Sequence, residues 1–249
     1  MDSGSRDNGE CAEMRGTARS TGGIQKMQER GNPARALFPE ISQVTDLYER
    51  ETRGLPEEVL RRTRDEKSWG LWSIRDQASH VASLPYRWLL IRWGEILFGD
   101  DLPRDKELFE RFDGRMMKEA YCPQIQDLIG VMRDSFALAW EVLGGETTES
   151  IRDGRHITER VPVGKIRPGT GEDVRRWREN VTLKAHCTGV WIDPDDAELF
   201  HFNLEYTFRH MLWEAYAHLK TIQMHKKEEG VEPLVQIPQE GYIRVLRWE

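Results

Sequence analysis

The chain has 249 residues, of which 38% are hydrophobic and 32% charged, and its formal net charge is −7. This composition predicts one domain of ordinary size with a real hydrophobic core, plus appendages. The acidic balance indicates no general affinity for nucleic acid, and the absence of any run of about 18 apolar residues indicates no membrane span.

Cysteine usage and the N-terminus together favour a cytoplasmic location. Cys11, Cys122 and Cys187 lack the spacing of a disulfide framework or of a zinc site, so they are predicted to be free thiols in a reducing compartment. The N-terminal stretch also lacks the apolar core of a secretory signal.

The domain boundary is predicted near residue 37. Residues 1–36 are rich in Gly, Ser and charged side chains and have almost no large apolar residue, which is typical of a disordered tail. Residues 37–249 are predicted to form a single domain. Pro39 suits the first position of a helix, and helical spacing of apolar residues then continues to about Arg53.

A capping signature predicts the start of a second, longer helix. Ser73 is followed three residues later by Asp76, and the apolar face continues to about Phe98, before Gly99. His80 lies at the edge of that face. A lone histidine in such a position is more often bonded to a carbonyl than to a metal, and Asp76 suits a cap better than a ligand.

The middle of the chain predicts a third main helix. A charged stretch contains a candidate helix from Lys106 to Ala120, which Cys122 and Pro123 interrupt. The third main helix then follows to about Leu143.

Residues 146–203 are predicted to form a long irregular insertion before the last helix, with short alternating and turn-rich pieces. Long connections of this kind are often functional. Arg175, Arg176 and Arg178 form a basic patch within it. The patch is either a lid that recognises an anionic substrate or a solvated helix face, which is the more usual role of a charge run.

The last helix carries the pattern with the clearest chemistry. From Leu204 to about Lys226 there is no Gly or Pro, and apolar residues recur with a period near 3.6. His210, Glu214 and His218 lie four residues apart, so they share one helix face. A carboxylate and an imidazole at this spacing can bind one divalent metal. The alternative is a helix edge with core histidines and a solvated glutamate.

The C-terminal tail, residues 227–249, contains two prolines and is predicted to be extended and packed on the domain.

The segment from Trp72 to Ala82, WSIRDQASHVA, resembles a motif of the DinB/YfiT-like superfamily of metalloenzymes. The family motif is W-[ST]-V-R-[DE]-x-L-x-H-[LV]-x, and its closing histidine, at the position of His80, is the first metal ligand. The resemblance therefore implies a ligand role for His80.

The last helix resembles the same family. Its H-x3-H-x3-H pattern, whose second and third members are usually ligands, corresponds to His210, Glu214 and His218. Glutamate in the middle is similar to the mycothiol-dependent maleylpyruvate isomerases, a branch with a His/Glu/His zinc triad. The Arg-Gly-Gln expected after the last histidine is absent, since Leu219-Lys-Thr stands there.

The resemblance implies an all-α fold, a four-helix bundle of DinB/YfiT-like type, in which His80 faces Glu214 and His218. Two imidazoles and a carboxylate with an open position are typical of catalytic zinc sites, and Ni²⁺, Fe²⁺ or Mn²⁺ are alternatives. His210 would then support Glu214 without binding the ion.

The implied function is a divalent-metal-dependent enzyme acting on a small molecule. A transferase or isomerase that uses a low-molecular-weight thiol is the first interpretation. The alternatives are a metal-dependent hydrolase and a non-catalytic, stress-related binding module. Relatives are often dimers, so a homodimer is an expectation of the same resemblance.

Overall fold

The computed structural model describes residues 33–166 and 171–248. The predicted disordered tail lies mostly outside these residues, but its last part, residues 33–36, is described. Ala34 begins a 3-10 turn, Ala34–Leu37, and is fully buried. The folded domain therefore begins before the predicted boundary at residue 37.

Helices dominate the described part of the chain. The α-helices there are α1 (Val44–Thr52), α2 (Glu57–Arg61), α3 (Ile74–Tyr86), α4 (Gly94–Phe98), α5 (Ile125–Gly145), α6 (Thr148–Arg152), α7 (Val174–Trp177), α8 (Leu183–Ala185), α9 (Leu204–Glu228) and α10 (Tyr242–Val245). Two π-helical segments, Arg87–Arg92 and Arg178–Thr182, extend α3 and α7.

Four of these helices form a bundle around the main core. Helix α3 packs against α5 and α9, and α1 packs against the same two helices. Their apolar faces supply fully buried side chains such as Tyr48, Val81, Met132 and Ile222. The four helical stretches predicted from apolar periodicity therefore form a four-helix bundle. Among the described residues, none of the helices is both long and apolar enough to cross a membrane.

The start of α3 follows the predicted capping signature. Ser73 Oγ accepts from the backbone N–H of Asp76, and the Asp76 carboxylate accepts from the backbone N–H of Ser73 at 3.0 Å. At the start of α9, the side chain of Asn203 accepts from the N–H of Tyr206 at 2.9 Å. Both caps satisfy backbone donors that the first turn of a helix leaves unpaired.

The prediction of a helix from Lys106 to Ala120 is wrong. A 3-10 helix, Lys106–Arg111, leads instead into a short hairpin of β1 (Phe112–Asp113) and β2 (Met116–Met117). Gly114, in the turn between the strands, has a φ of 57°. That left-handed conformation suits glycine and interrupts a helix.

The all-α prediction fails in the insertion, residues 146–203. It contains an antiparallel sheet in the order β3-β5-β4, formed by β3 (His156–Arg160), β4 (Val190–Ile192) and β5 (Leu199–Asn203). The central strand, β5, buries Phe200 and Phe202 and leads directly into α9. The sheet therefore fixes the N-terminal end of the helix with the predicted ligands.

The C-terminal tail is extended only in part, because it also contains α10. It is anchored to the bundle where the backbone N–H groups of Leu234 and Val235 each donate to Glu51 Oε1 at 2.8 Å. Further along, Tyr242 and Trp248 reach the wall of a cavity of about 550 Å³.

Candidate metal centre

Three side chains from two bundle helices converge at the wall of this cavity. Helix α3 contributes His80, and α9 contributes Glu214 and His218, and one donor atom of each lies within 4.8 Å of the others. His80 Nε2 is 3.5 Å from Glu214 Oε1, and the two imidazole centroids are 4.6 Å apart. The structure thus brings together the three residues that the sequence named as ligands.

The nitrogen of His80 that faces this cluster has no hydrogen-bond partner. His80 is 1% exposed, and its Nε2 atom is buried and unsatisfied. A buried polar atom without a partner costs about 1–3 kcal/mol, so such atoms usually have an explanation in function. A metal ion between His80 and Glu214 would supply the missing partner.

The ring of His218 is oriented by an amide. Gln77 Oε1, one turn before His80 on α3, contacts His218 Nδ1. Because an amide oxygen can only accept, Nδ1 carries the proton and Nε2 keeps its lone pair. Metal-binding histidines are commonly fixed through their second nitrogen in this way.

The charges at the site match what a divalent ion requires. Burial lowers the pKa of His80, and burial together with the charge of His80 lowers the pKa of His218 to about 3. Burial would raise the pKa of Glu214, but His210 and His80 outweigh it and hold that pKa well below its usual range. The donors at neutral pH are therefore two neutral imidazoles and one carboxylate, which are the protonation states that bind metals.

His210 lies beside Glu214 rather than in the donor cluster. Its Nε2 atom is 3.0 Å from Glu214 Oε2, and its Nδ1 atom is 2.7 Å from the hydroxyl of Tyr242. The same hydroxyl is 3.0 Å from His186 Nε2. Because an ionised carboxylate can only accept, a consistent chain has His186 donating to Tyr242, Tyr242 donating to His210, and His210 donating to Glu214.

A cavity of about 550 Å³ extends from the donor cluster. Tryptophans and arginines form much of its wall, and the sequence had identified only one of them as a site residue. The tryptophans are Trp69, Trp72, Trp88, Trp177 and Trp248, and the arginines are Arg87, Arg92, Arg115, Arg178 and Arg247.

The three arginines of the predicted basic patch lie in different surroundings in the structure. Arg178 is buried at the cavity wall, where it pairs with Glu159 at 2.8 Å. Arg175 pairs with Glu179 at 2.8 Å instead, and the exposed Arg176 donates its backbone N–H to Asp173, the N-cap of α7, at 3.0 Å. Among the three, only Arg178 therefore lines the described cavity.

A wide helical turn spans Arg87–Arg92, and Arg87, Trp88 and Arg92 from it line the cavity. Pro85 lies inside α3 and has no backbone N–H to donate, and the π-helical segment begins two residues later. The N–H of Trp93 bonds to the carbonyl of Trp88 at 2.9 Å, five residues back. Such turns often occur at functional sites, and Pro85 was the only visible sign of this one in the sequence.

We expect Gln77→Leu to weaken metal binding about 10-fold to 100-fold, because His218 loses the acceptor that fixes its proton on Nδ1. Competition with a chelating dye measures the change. Gln126→Leu, at an exposed position of α5, is the control. Equal affinities of the two variants would contradict a role for Gln77 in orienting the ligand.

Comparisons with known proteins give a likeness in structure and none in sequence. No family model matches the sequence, and no curated protein matches it. Among solved structures, the chain is similar to YfiT from Bacillus subtilis, described as a probable metal-dependent hydrolase with an unusual four-helix bundle topology. The identity is 13%, the TM-score is 0.48, and the match covers 88% of this chain and 97% of the other. The site must therefore be interpreted from the chain's own residues.

Proposed function

We propose that this protein is a divalent-metal-dependent enzyme whose ion is held by His80, Glu214 and His218. The observation that supports this most strongly is the convergence of two neutral imidazoles and a carboxylate around an unsatisfied nitrogen of His80. This donor set leaves a divalent ion with about one positive charge and an open position, as in catalytic zinc sites. Zn²⁺ fits it best, with Ni²⁺, Fe²⁺ and Mn²⁺ as alternatives.

The chemistry supplied by such an ion is a lowered pKa of a coordinated water or thiol. The chain's own residues prepare the site for it. Gln77 orients His218, and His210 holds Glu214 through a hydrogen bond that Tyr242 supports from the far side. Five tryptophans give the cavity wall a large apolar surface, and the cavity volume suits a small-molecule substrate.

Hydrolysis is the reaction that needs the fewest additional components. It requires a water and an activating ion, whereas no described residue of the cavity wall marks a thiol-binding site. Of the described cysteines, Cys122 is buried and Cys187 exposed, and neither lines the cavity.

Thiol-dependent transfer or isomerisation is the second candidate. Glu214 favours it, because the sequence resembles the His/Glu/His triad of the mycothiol-dependent isomerases at that position. The thiol would then be an external low-molecular-weight cofactor.

Elemental analysis of the purified protein and of His80→Ala tests the proposal. We expect near-stoichiometric metal in the natural protein, and its loss in the variant with secondary structure retained. Ester hydrolysis and thiol conjugation are then assayed before chelation, after chelation and after reloading with Zn²⁺.

Activity that disappears on chelation and returns on reloading supports an enzyme, and the reactive substrate separates the two candidates. A protein that neither retains nor takes up metal contradicts the proposal. Bound metal without activity toward any ester or thiol would instead indicate the non-catalytic binding module.

A further inference from the structure

We propose that the cavity binds a small organic anion with an apolar body, and that Arg87 holds its acidic group beside the metal centre. The inference rests on the proposed function, since it identifies the class of substrate for the same cavity.

The cavity wall carries an excess of positive charge. Five arginines line it, and the acidic residues among its described lining are Glu172 and Glu214. Glu214 belongs to the donor cluster. Behind the wall, Glu159 pairs with Arg92 at 3.2 Å and with Arg178 at 2.8 Å, so one carboxylate serves two guanidinium groups. Buried like charges repel strongly at low dielectric, and an anionic ligand would relieve that repulsion.

Arg87 is the arginine best placed to bind the ligand. Within the described chain it has no carboxylate within 4.0 Å, and its contacts are Ser83 Oγ at 3.0 Å and His80 Nδ1 at 3.5 Å. The second contact is too long for a good hydrogen bond. It would also be lost when His80 binds an ion through Nε2, because the ring proton then lies on Nδ1. A guanidinium has five donors and no acceptor, so Arg87 would need a new acceptor.

The remaining wall suits the apolar part of such a ligand. Trp72 stacks on His218 with ring centroids 5.7 Å apart and an interplanar angle of 12°, and the guanidinium of Arg115 lies 4.9 Å from the ring centroid of Trp72. The guanidinium of Arg92 similarly lies 4.1 Å from the ring centroid of Trp88. Flat aromatic surfaces beside guanidinium groups favour planar anions, and a carboxylate matches the two parallel N–H groups of an arginine.

Benzoate and its neutral analogue benzamide provide the test. Tryptophan fluorescence measures binding, because five of the nine tryptophans line the cavity. The excitation wavelength is chosen longer than the wavelengths that the two probes absorb. We expect benzoate to bind at least about tenfold more tightly than benzamide, which corresponds to one charge-assisted hydrogen bond. Phenyl phosphate, titrated in parallel, shows whether a carboxylate or a phosphate is the preferred acidic group.

Arg87→Gln should remove most of the preference for the anion. Arg87→Lys should keep part of that preference, since lysine has the positive charge but lacks the paired N–H donors of a guanidinium. Arg104→Gln is the matched control, because Arg104 is equally able to form ion pairs but pairs with Asp134 and Glu141 away from the cavity. Circular dichroism and metal content are recorded for every variant.

The same titrations on the chelated protein separate the arginine from the ion. A preference for benzoate that survives chelation and disappears in Arg87→Gln supports the inference. Equal binding of the two probes, an unchanged preference in Arg87→Gln, or a preference that vanishes with the metal would overturn it. The comparison of Arg87→Gln with the natural protein after chelation needs no bound metal, so failure of the proposed function would be seen separately in the elemental analysis.

Discussion

The Glu214→Ala variant is expected to lose its metal ion and its metal-dependent activity while keeping the bundle. Glu214 supplies the only carboxylate among the three converging donors of the described chain. Its removal leaves two neutral imidazoles and no anionic ligand, so we expect a loss of affinity greater than the roughly 100-fold that outer contacts can cause. Chelator competition and elemental analysis measure the loss, and thermal unfolding of the metal-free proteins checks the fold.

Two further variants of Glu214 and one control variant show which property of the side chain metal binding requires. Glu214→His should still bind metal, because it restores a third donor, whereas Glu214→Gln keeps the shape but loses the charge and should bind weakly. Glu228→Ala changes a half-exposed carboxylate on the same helix and should bind metal as the natural protein does. Stoichiometric metal in Glu214→Ala, or its loss in Glu228→Ala, would show that the ion is bound elsewhere.

The site was predictable to the extent that it depends on a single helix. Glu214 and His218 share a face because of their four-residue spacing, and the helical period alone is sufficient to show this. That His80 meets them depends on the packing of α3 against α9, which no local pattern encodes. The sequence motif, and not the periodicity, was the source of that prediction.

The residues that sequence reasoning missed act through tertiary contacts. Tyr242 reaches His210 from the C-terminal tail, and nothing in the local sequence distinguishes it from other tyrosines. Arg87 lies seven residues after His80, so the regular helical period places both on one face, but that spacing alone does not show that the face lines a cavity. Short alternating pieces were visible in the insertion, but β3 and β5 pair from its opposite ends, and no local pattern shows which segments pair into a sheet.

The Glu51→Gln variant is expected to lose about 3–5 kcal/mol of stability, the range for removing one partner of a buried ion pair. Glu51 and Lys226 are 0% and 1% exposed, and the ammonium group contacts the carboxylate directly. Gln223 and the N–H groups of Leu234 and Val235 also donate to Glu51. Urea unfolding at neutral pH measures the difference in unfolding free energy between the two proteins. The dependence of that free energy on urea concentration is compared as well.

A surface carboxylate on the same helix is the control for this experiment. Glu49 pairs with Arg53 and Arg133 at the surface, so Glu49→Gln should change the unfolding free energy by no more than about 1 kcal/mol. Similar losses in Glu49→Gln and Glu51→Gln would contradict the special role of the buried pair.

The effect of Glu51 should also depend on pH. Burial raises the pKa of Glu51, but the hydrogen bonds from Lys226, Gln223 and the tail outweigh it and leave the pKa lowered. A carboxyl group with a lowered folded-state pKa contributes stability above its unfolded pKa, about 4.3, and loses that contribution as the pH falls through the folded value. The difference between the natural protein and Glu51→Gln should therefore be largest near neutral pH and shrink on acidification.

The double variant Glu51→Gln/Lys226→Met separates the charge from the anchoring of the tail. It removes both buried charges, so much of the lost stability should return. The amide introduced at position 51 can still accept from the tail, which keeps Tyr242 near His210. Both variants carry this amide, so we expect both to bind metal as the natural protein does, while only the double variant regains stability. If stability returns but metal affinity is low, the carboxylate itself is needed to hold the tail against the metal centre.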